Sequence, residues 1–85
     1  MSEQIHTITK NSRETLVFSL SEFKGKSYLD VRLFVRGEDG SQDFPSKKGV
    51  TLPVDLYPQF RGALAQVEKA LVTRGLMDRE DLEIE

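Results

Sequence analysis

The sequence predicts an α+β domain in which four antiparallel strands precede a single helix. Between Thr15 and Leu52, hydrophobic residues recur at every second position in several short runs separated by turn residues, which is the period of strands with one buried face. After residue 55 the spacing changes to three or four residues, the period of an amphipathic helix. With 85 residues the chain has room for one small core, so we expect further burial in a homodimer.

The first two predicted strands form a hairpin. The first strand begins at Thr15 and places three hydrophobic side chains on one face, Leu16, Phe18 and Leu20. The turn covers residues 22–26, where Gly25 is free to adopt a positive φ. The second strand covers residues 28–35, with an aliphatic face and an opposite face that mixes aromatic and charged side chains, namely Tyr28, Asp30, Arg32 and Phe34. That mixed face is either solvated or used for binding.

The second half of the domain follows a loop over residues 37–41, which are Gly-Glu-Asp-Gly-Ser. Residues 42–44 are expected to return as a short strand that ends at Pro45 and Ser46, and residues 47–52 form the last strand. Asp55 is the expected N-cap of the helix, with Pro58 in the first turn and Gly75 as the stop. The hydrophobic stripe, expected to supply core and dimer interface, consists of Leu56, Phe60, Leu64, Val67 and Leu71.

Charge is distributed unevenly along three predicted segments. Residues 1–12 are expected to be a flexible N-terminus, although Ile5 and Ile8 leave an additional edge strand open. Residues 13–75 form the domain, and residues 76–85 form an acidic C-terminal tail. The total charge of −2 argues against a nucleic-acid ligand, but residues 1–52 carry +1 and residues 53–85 carry −3. A small basic surface is therefore compatible with the acidic total.

Several function classes are not expected from this composition. The chain has no cysteine and one histidine, His6, in a polar N-terminal stretch. It shows no glycine-rich phosphate loop and no metal-ligand cluster, so we expect no enzyme activity, no metal and no cofactor. No apolar run reaches the length of a membrane span and no signal peptide is visible. We therefore expect a soluble intracellular protein with no membrane partner.

Two lysine–glycine clusters suggest a ligand. Phe23-Lys24-Gly25-Lys26 occupies the first turn and Lys47-Lys48-Gly49 opens the last strand. Lysines neutralise phosphates and aromatic rings stack on unpaired bases, so the clusters favour a binder of single-stranded nucleic acid. The competing interpretation is that the lysines solubilise the surface or protect edge strands. Three further alternatives stay open. Arg32 is expected to pair with Asp30 or an acid of a neighbouring strand, with a phosphate, or with both. Phe23 is an alternative cap for the core, and Tyr28 and Phe34 are alternative dimer contacts.

These motifs, in this order, resemble the C-terminal domain of the transcriptional coactivator positive cofactor four. The similarity runs from Glu14 to Leu71 and includes the Phe-Lys-Gly-Lys turn, the Asp-Val-Arg triplet over residues 30–32 and the Lys-Gly-Val-Thr-Leu strand over residues 48–52. The resemblance implies a curved four-stranded antiparallel sheet with a kinked helix across its concave side. It also implies a homodimer built through helix and sheet, with hairpins that form channels for single-stranded DNA.

The resemblance also implies which residues bind nucleic acid: Phe23, Lys24, Lys26, Arg32, Phe34, Lys47 and Lys48. Phe34 enters this set because Val35 stands where the family often has a tryptophan. Glu14, Ser21 and Phe44 replace basic residues of the family, so weaker and more salt-sensitive binding is expected. The implied function is binding of single-stranded DNA, with RNA as an alternative ligand, in transcription or in replication, recombination or repair. The alternative is a dimeric adaptor for RNA polymerase or a replication protein.

Overall fold

The computed structural model describes residues 2–38 and 43–83, which form two compact units, Met1–Val54 and Asp55–Glu85. The first unit is a four-stranded antiparallel sheet with the strands in sequence order. Its strands are β1 (Ser2–Thr9), β2 (Glu14–Phe23), β3 (Lys26–Val35) and β4 (Phe44–Pro53). The second unit contains the helix α1, Tyr57–Thr73. The predicted order of a four-stranded antiparallel sheet followed by one helix is confirmed.

Strand β1 lies where the sequence favoured a flexible segment. It pairs with β2 over its whole length, for example Thr7 opposite Val17, with a bulge between Gln4 and His6. The imidazole of His6 lies against the ring of Phe18, with 6.2 Å between the ring centroids. All residues of β1 are exposed, so the strand gives little hydrophobic signal. It forms because it pairs the backbone groups that β2 would otherwise leave open at the sheet edge.

The β2–β3 hairpin turns through two residues. Phe23 pairs with Lys26, and the two residues between them have positive φ, 53° at Lys24 and 77° at Gly25. Two positive φ values in a two-residue loop define a type I′ turn, whose twist matches that of the flanking strands. The predicted turn with a left-handed Gly25 is confirmed, and both strands reach closer to the tip than the sequence indicated.

Strand β4 corrects the prediction that Pro45 and Ser46 separate two short strands. The ladder with β3 places Pro45 opposite Phe34 and Gly49 opposite Arg32, so residues 46–48 form a bulge opposite Leu33. The Ser46 hydroxyl donates to the Leu33 carbonyl at 2.7 Å and accepts from the Lys48 N–H at 3.1 Å. Pro45 is tolerated because β4 is an edge strand and a proline there removes no essential ladder bond. Residue 42 lies outside the described ranges.

The two sheet faces differ as the alternation predicted. One face carries the aliphatic residues of β3, where Leu33 is only 6% exposed, and Leu52 of β4, which pairs with Leu29 and is also 6% exposed. The other face carries Arg32 and Phe34 of β3, together with the β2 residues paired to them, Val17 and Thr15. Val17 is also buried, at 8% exposure. The sheet thus has an aliphatic face and a polar face, and Val17 is a buried apolar side chain on the polar face.

The helix begins and ends close to the predicted positions. A 3₁₀ turn, Val54–Leu56, precedes α1 and makes Leu56 the N-cap without a side-chain hydrogen bond, so the predicted cap at Asp55 is wrong. Pro58 lies in the first turn, as expected. Gly75 has a φ of 71°, and the N–H groups of Gly75 and Leu76 donate to the carbonyls of Val72 and Leu71. This bond pair is the Schellman arrangement that stops a helix at glycine.

The tail contains a second 3₁₀ segment, Arg79–Glu83. The Asp78 N–H donates to the Asp81 carboxylate at 3.1 Å and the Asp81 N–H returns to the Asp78 carbonyl at 3.0 Å. Among the described residues, no helix combines the length and the apolar character needed to cross a membrane.

Candidate nucleic-acid interface

The tip of the β2–β3 hairpin presents an exposed aromatic ring together with two lysines. Phe23 is 62% exposed, the largest fraction for a phenylalanine in the described chain. The Lys24 ammonium lies 5.3 Å from the centroid of the Phe23 ring, a distance that permits a cation–π contact. Lys26 follows the turn and is exposed. The tip therefore offers a flat apolar surface and two positive charges on a rigid two-residue turn.

The second lysine pair stands on the β4 bulge. Lys47 and Lys48 are both exposed, and the bonds of Ser46 to Leu33 and Lys48 fix the backbone that carries them. Gly49 ends the bulge directly beneath β3. A Cβ at this position would lie 2.5 Å from the Val31 carbonyl oxygen and 2.8 Å from the Arg32 Cα. Position 49 of the Lys-Lys-Gly motif therefore requires glycine, because only a residue without a side chain lets the β4 backbone lie this close to β3.

Arg32 is the centre of a hydrogen-bond network on the polar face. Its Nε and Nη2 donate to the two carboxylate oxygens of Asp30 at 3.2 and 3.0 Å, and its Nη1 donates to the Ser46 carbonyl at 3.2 Å. Nη2 also lies 3.2 Å from the Thr51 hydroxyl, which itself donates to Asp30. Of the interpretations left open by the sequence, the pairing with Asp30 is present. The network ties β3 to the bulge of β4.

The network changes the acidity of Asp30. The hydrogen bond from Arg32 holds the pKa of the Asp30 carboxyl below its ordinary value, a trend that partial burial opposes and the Thr51 hydroxyl supports. In turn, the hydrogen bond to Asp30 and the negative charge of Asp30 raise the pKa of Arg32. Asp30 therefore stays ionised and bound to Arg32 at neutral pH.

The structure brings the predicted residues to three places in the sheet unit. Phe23, Lys24 and Lys26 share the hairpin tip, while Lys47 and Lys48 occupy the β4 bulge. Arg32 and Phe34 lie along β3 on the polar face, where half-buried Phe34 is flanked by Thr15 and Pro45. Strand alternation puts Phe23 on that same face, since it is six residues from Val17 in β2. A single face thus links the tip with the outer end of β3.

Sequence reasoning missed a groove at that outer end. One part, with a volume of about 630 Å³, is lined by Gln4, Thr7, Thr9, Thr15, Val17, Phe34 and Asp43. An adjoining part of about 340 Å³ is lined by Thr9, Asn11, Ser12, Arg13, Thr15, Arg36 and Asp43. The signal for the two arginines was present in the hairpin register: Glu14 pairs with Val35, so the next residues outward are Arg13 and Arg36. Within the described ranges, no cluster of three histidine or carboxylate side chains is arranged to hold a metal.

The chain matches the model of a known protein family. The family model for Transcriptional Coactivator p15 (PC4) matches residues 10–63, which cover β2, β3, β4 and the start of α1. The chain belongs to the PC4 family. The resemblance drawn from the Phe-Lys-Gly-Lys turn and the Lys-Lys-Gly bulge is thereby confirmed at the level of the family.

Solved structures of bacterial and phage PC4 homologues share the fold. A PC4 homologue from Burkholderia pseudomallei is 25% identical, with a TM-score of 0.72 over 80% of this chain and 98% of the other. A second crystal form of that protein gives a TM-score of 0.71. The bacteriophage T5 homologue of PC4, described as implicated in recombination-dependent DNA replication, is 23% identical, with a TM-score of 0.66 over 99% of this chain and 98% of the other. No curated protein matches the sequence significantly.

Proposed function

We propose that the protein binds single-stranded DNA with little sequence preference and acts as a transcription cofactor or in replication, recombination or repair. The observation that carries the proposal is the exposed Phe23 ring at the hairpin tip, with Lys24 against the ring and Lys26 opposite Phe23 in the strand ladder. Unpaired bases stack on such a ring irrespective of their identity, while the lysines neutralise the flanking phosphates. Membership of a coactivator family and the phage homologue's link to replication support the same ligand class. RNA offers the same phosphates and bases, so it is the alternative ligand.

The proposed binding surface consists of seven residues: Phe23, Lys24, Lys26, Arg32, Phe34, Lys47 and Lys48. The tip is held by the β2–β3 ladder, and the bulge is held by the hydrogen bonds of the Ser46 hydroxyl, before any ligand arrives. A surface ordered in advance loses less conformational entropy on binding than a disordered basic segment does. The arrangement is therefore suited to holding an extended strand with its bases turned towards the aromatic side chains.

A homodimer is the second part of the proposal. No residue of α1 is buried in the single chain, and the hydrophobic stripe formed by its N-cap and its helical residues includes Leu56, Leu64 and Val67 at 45%, 46% and 51% exposure. Burial of apolar surface is worth about 25 cal/mol per Å², so pairing two such stripes in a twofold dimer is favourable. The proposed interface residues are Leu56, Phe60, Leu64, Val67 and Leu71. Light scattering at micromolar concentration should give the dimer mass, and Leu64→Glu should reduce it towards the monomer.

The ligand is tested by titrating labelled single-stranded and duplex DNA of equal length over a series of salt concentrations. Single strands should bind more tightly, because a duplex hides the faces of its bases. Neutralising four to six phosphates should give a log–log salt slope of about −3 to −4, from roughly −0.7 per phosphate. Equal affinity for the duplex, or an affinity that does not respond to salt, would contradict the proposal.

Two variants separate stacking from charge. Phe23→Ala should weaken binding by about 1–3 kcal/mol, the range for one base–aromatic stack, and leave the salt slope nearly unchanged. Lys47→Ala combined with Lys48→Ala should reduce the slope by up to roughly 1.4 per protomer. Thermal melts should match the unaltered protein for both variants. The reversed pattern would mean that Phe23 has a structural role.

The adaptor function is the alternative supported by a specific observation, the exposed hydrophobic stripe of α1 beside an acidic 3₁₀ tail. An acidic and apolar surface fits a basic, hydrophobic partner such as a polymerase subunit or a replication protein. A titration that finds no salt-sensitive binding of oligonucleotides would favour this alternative over the single-strand binder.

A further inference from the structure

The groove at the outer end of the polar face is separate from the seven residues of the proposed surface except at Phe34. We call it the outer groove and define it by Thr7, Thr9, Thr15, Arg13, Arg36, Phe34 and Asp43. Its two parts adjoin, because both are lined by Thr9, Thr15 and Asp43. Three threonines and two arginines thus line one shallow channel, with Phe34 at its inner end.

The backbone around the two arginines is held firmly. The Arg36 N–H donates to the Arg13 carbonyl at 2.8 Å, which fixes the two residues side by side across the β2–β3 ladder. On the other side, the Asn11 carboxamide oxygen accepts from the N–H groups of Arg13 and Glu14 at 2.8 and 2.9 Å. The turn between β1 and β2 is therefore built around Asn11. The arginines project from a fixed frame and not from a loose loop.

The charges at the outer groove favour an anion. Glu14 is engaged by the Asn11 amide at 2.9 Å and by Lys10 at 3.6 Å. Within residues 2–38 and 43–83, the ion pairs are Lys10–Glu14 and Asp30–Arg32, so neither Arg13 nor Arg36 is paired with a described carboxylate. Asp43 lines the groove and offsets one of the two positive charges. The remaining charge and the hydroxyl donors suit a phosphodiester, whose oxygens accept from both guanidinium and hydroxyl groups, and do not suit a cation.

We propose that the outer groove is a second phosphate-binding site, which takes the sugar–phosphate backbone of the same single strand that the hairpin tip holds. The proposal rests on the proposed single-strand function and extends its footprint from the tip to the far end of the sheet. Arg13 and Arg36 bind one or two phosphates, the threonine hydroxyls donate to phosphate or sugar oxygens, and Phe34 contacts the base that enters the groove. Neither the two arginines nor the threonines belong to the seven-residue surface proposed above.

The distance sets the length of strand required. Strand β3 has ten residues from Lys26 to Val35, so the tip and the outer groove lie about 30 Å apart at roughly 3.3 Å per residue. A strand whose bases stack on one another covers about 3.4 Å per nucleotide and covers more when its bases are unstacked, so about nine nucleotides is the largest number needed to span this distance. A strand of about four nucleotides reaches the tip or the outer groove but not both.

The test measures affinity and salt slope for oligonucleotides of about four and about twelve nucleotides, within the range of single-strand site sizes. Arg13→Gln combined with Arg36→Gln is compared with a matched control, Arg61→Gln combined with Lys69→Gln, which removes the same charge from exposed positions of α1. The groove variant should lose most of the affinity that the unaltered protein gains with the longer strand, and its slope on that strand should fall by about 0.7 to 1.4, for one or two phosphates. The control should lose neither.

The outcomes separate this inference from the function beneath it. If the unaltered protein binds and the lysine variants of the β4 bulge weaken binding, while the groove variant behaves as the α1 control, the outer groove proposal is overturned and the single-strand function stands. If the unaltered protein binds neither oligonucleotide, both proposals fail. Equal loss on short and long strands would also overturn the inference, because it would place the arginines at the tip-bound segment. Circular dichroism melts should show that the groove variant remains folded.

Discussion

At the scale of single residues, Lys24 holds a backbone conformation that the type I′ turn requires but that is unfavourable for lysine. It is the one non-glycine residue with positive φ in the described chain, and a side chain in the left-handed region costs roughly 1–2 kcal/mol. Type I′ turns prefer Asn-Gly at these two positions. Because the tip is exposed, packing does not explain the lysine. Its position over the Phe23 ring, next to a second lysine, is consistent with a role in binding.

Lys24→Asn should therefore change stability and binding in opposite directions. Asparagine tolerates the left-handed region better, so the variant should be more stable by about 1 kcal/mol or less, measured by chemical denaturation. Loss of the cation should weaken single-strand binding and reduce the salt slope by about 0.7. Lys69→Asn, which removes a charge from α1, serves as the control. A variant that is more stable and binds equally well would show that Lys24 contacts no phosphate.

Substitution of Asp30 distinguishes two roles of Arg32, because the two roles predict opposite changes in binding affinity. If Arg32 mainly holds the bulge through the Ser46 carbonyl, Asp30→Asn should loosen Arg32 and weaken binding, even though a negative charge is removed. If Arg32 mainly contacts phosphate, release from Asp30 should tighten binding. We expect the weaker binding, because four of the hydrogen bonds in this network already engage the guanidinium. In the background Lys47→Ala with Lys48→Ala, the effect should largely disappear.

The Asp30–Arg32 pair should also appear in the pH dependence of stability. The pKa of Asp30 is lowered in the folded protein, so the carboxylate binds fewer protons folded than unfolded near its ordinary pKa of about 3.9. The pair therefore contributes stability above about pH 4, and this contribution is lost as the pH falls through the folded pKa. Melts between neutral pH and pH 3 should fall less steeply for Asp30→Asn. Parallel curves for the two proteins would contradict this assignment.

At the scale of elements, the β4 bulge depends on Gly49. A methyl group there would meet backbone atoms of Val31 and Arg32, which cannot move aside as a side chain does. Gly49→Ala should destabilise the protein by about 1–3 kcal/mol, the usual cost of overpacking, and displace Lys47 and Lys48. Gly62→Ala is the matched control, because nothing lies near its added methyl group. In the helix interior this control should stabilise by up to about 1 kcal/mol. If chemical denaturation gave the same change in the free energy of unfolding for Gly49→Ala and Gly62→Ala, β4 would be able to shift without cost.

The elements also show what sequence periodicity decides. The β2–β3 hairpin and α1 could be predicted, because their side chains alternate or repeat strongly and Gly25 and Gly75 mark their ends. Strand β1 has no buried residue, and its pairing depends on the open edge of β2, which no local pattern records. Pro45 alone predicts the end of a strand, because the sequence does not reveal that β4 is an edge strand, where proline is tolerated. The helix cap was misplaced because a 3₁₀ turn, Val54–Leu56, precedes α1.

The same reasoning applies to the candidate site. The two lysine clusters and Phe23 were predicted from residue type and turn position, and they occupy the expected tip and strand. The outer groove was missed because it arises from three strands, β1 to β3, one of which was not predicted. Arg13 and Arg36 are 23 positions apart in sequence and become neighbours only through the hairpin register.

At the scale of the whole molecule, the two units carry opposite charge. Residues 1–52 have a net charge of +1 and residues 53–85 have −3. The acidic excess is concentrated in the tail, whose described part is ordered locally as a 3₁₀ segment, Arg79–Glu83, closed by the bonds between Asp78 and Asp81. The carboxylates are thus held close together on a short connection to the domain. Such a segment is an anion of the same sign as the proposed ligand.

The tail should therefore compete with nucleic acid for the basic sheet surface. A tethered segment has an effective concentration on the order of millimolar for a short linker, enough to occupy a weak cationic site much of the time. Deleting residues 77–85 should tighten single-strand binding by a few-fold at low salt, and the gain should fade towards 0.1 M salt, where the Debye length is about 10 Å. A neutralised tail carrying Glu80→Gln, Asp81→Asn and Glu83→Gln should behave as the deletion does, because the competition is electrostatic. The dimer mass should not change in either variant. Identical affinities for all three proteins at low ionic strength would show that the tail does not reach the binding surface, and a pull-down against candidate polymerase or replication partners would then test the adaptor role for it.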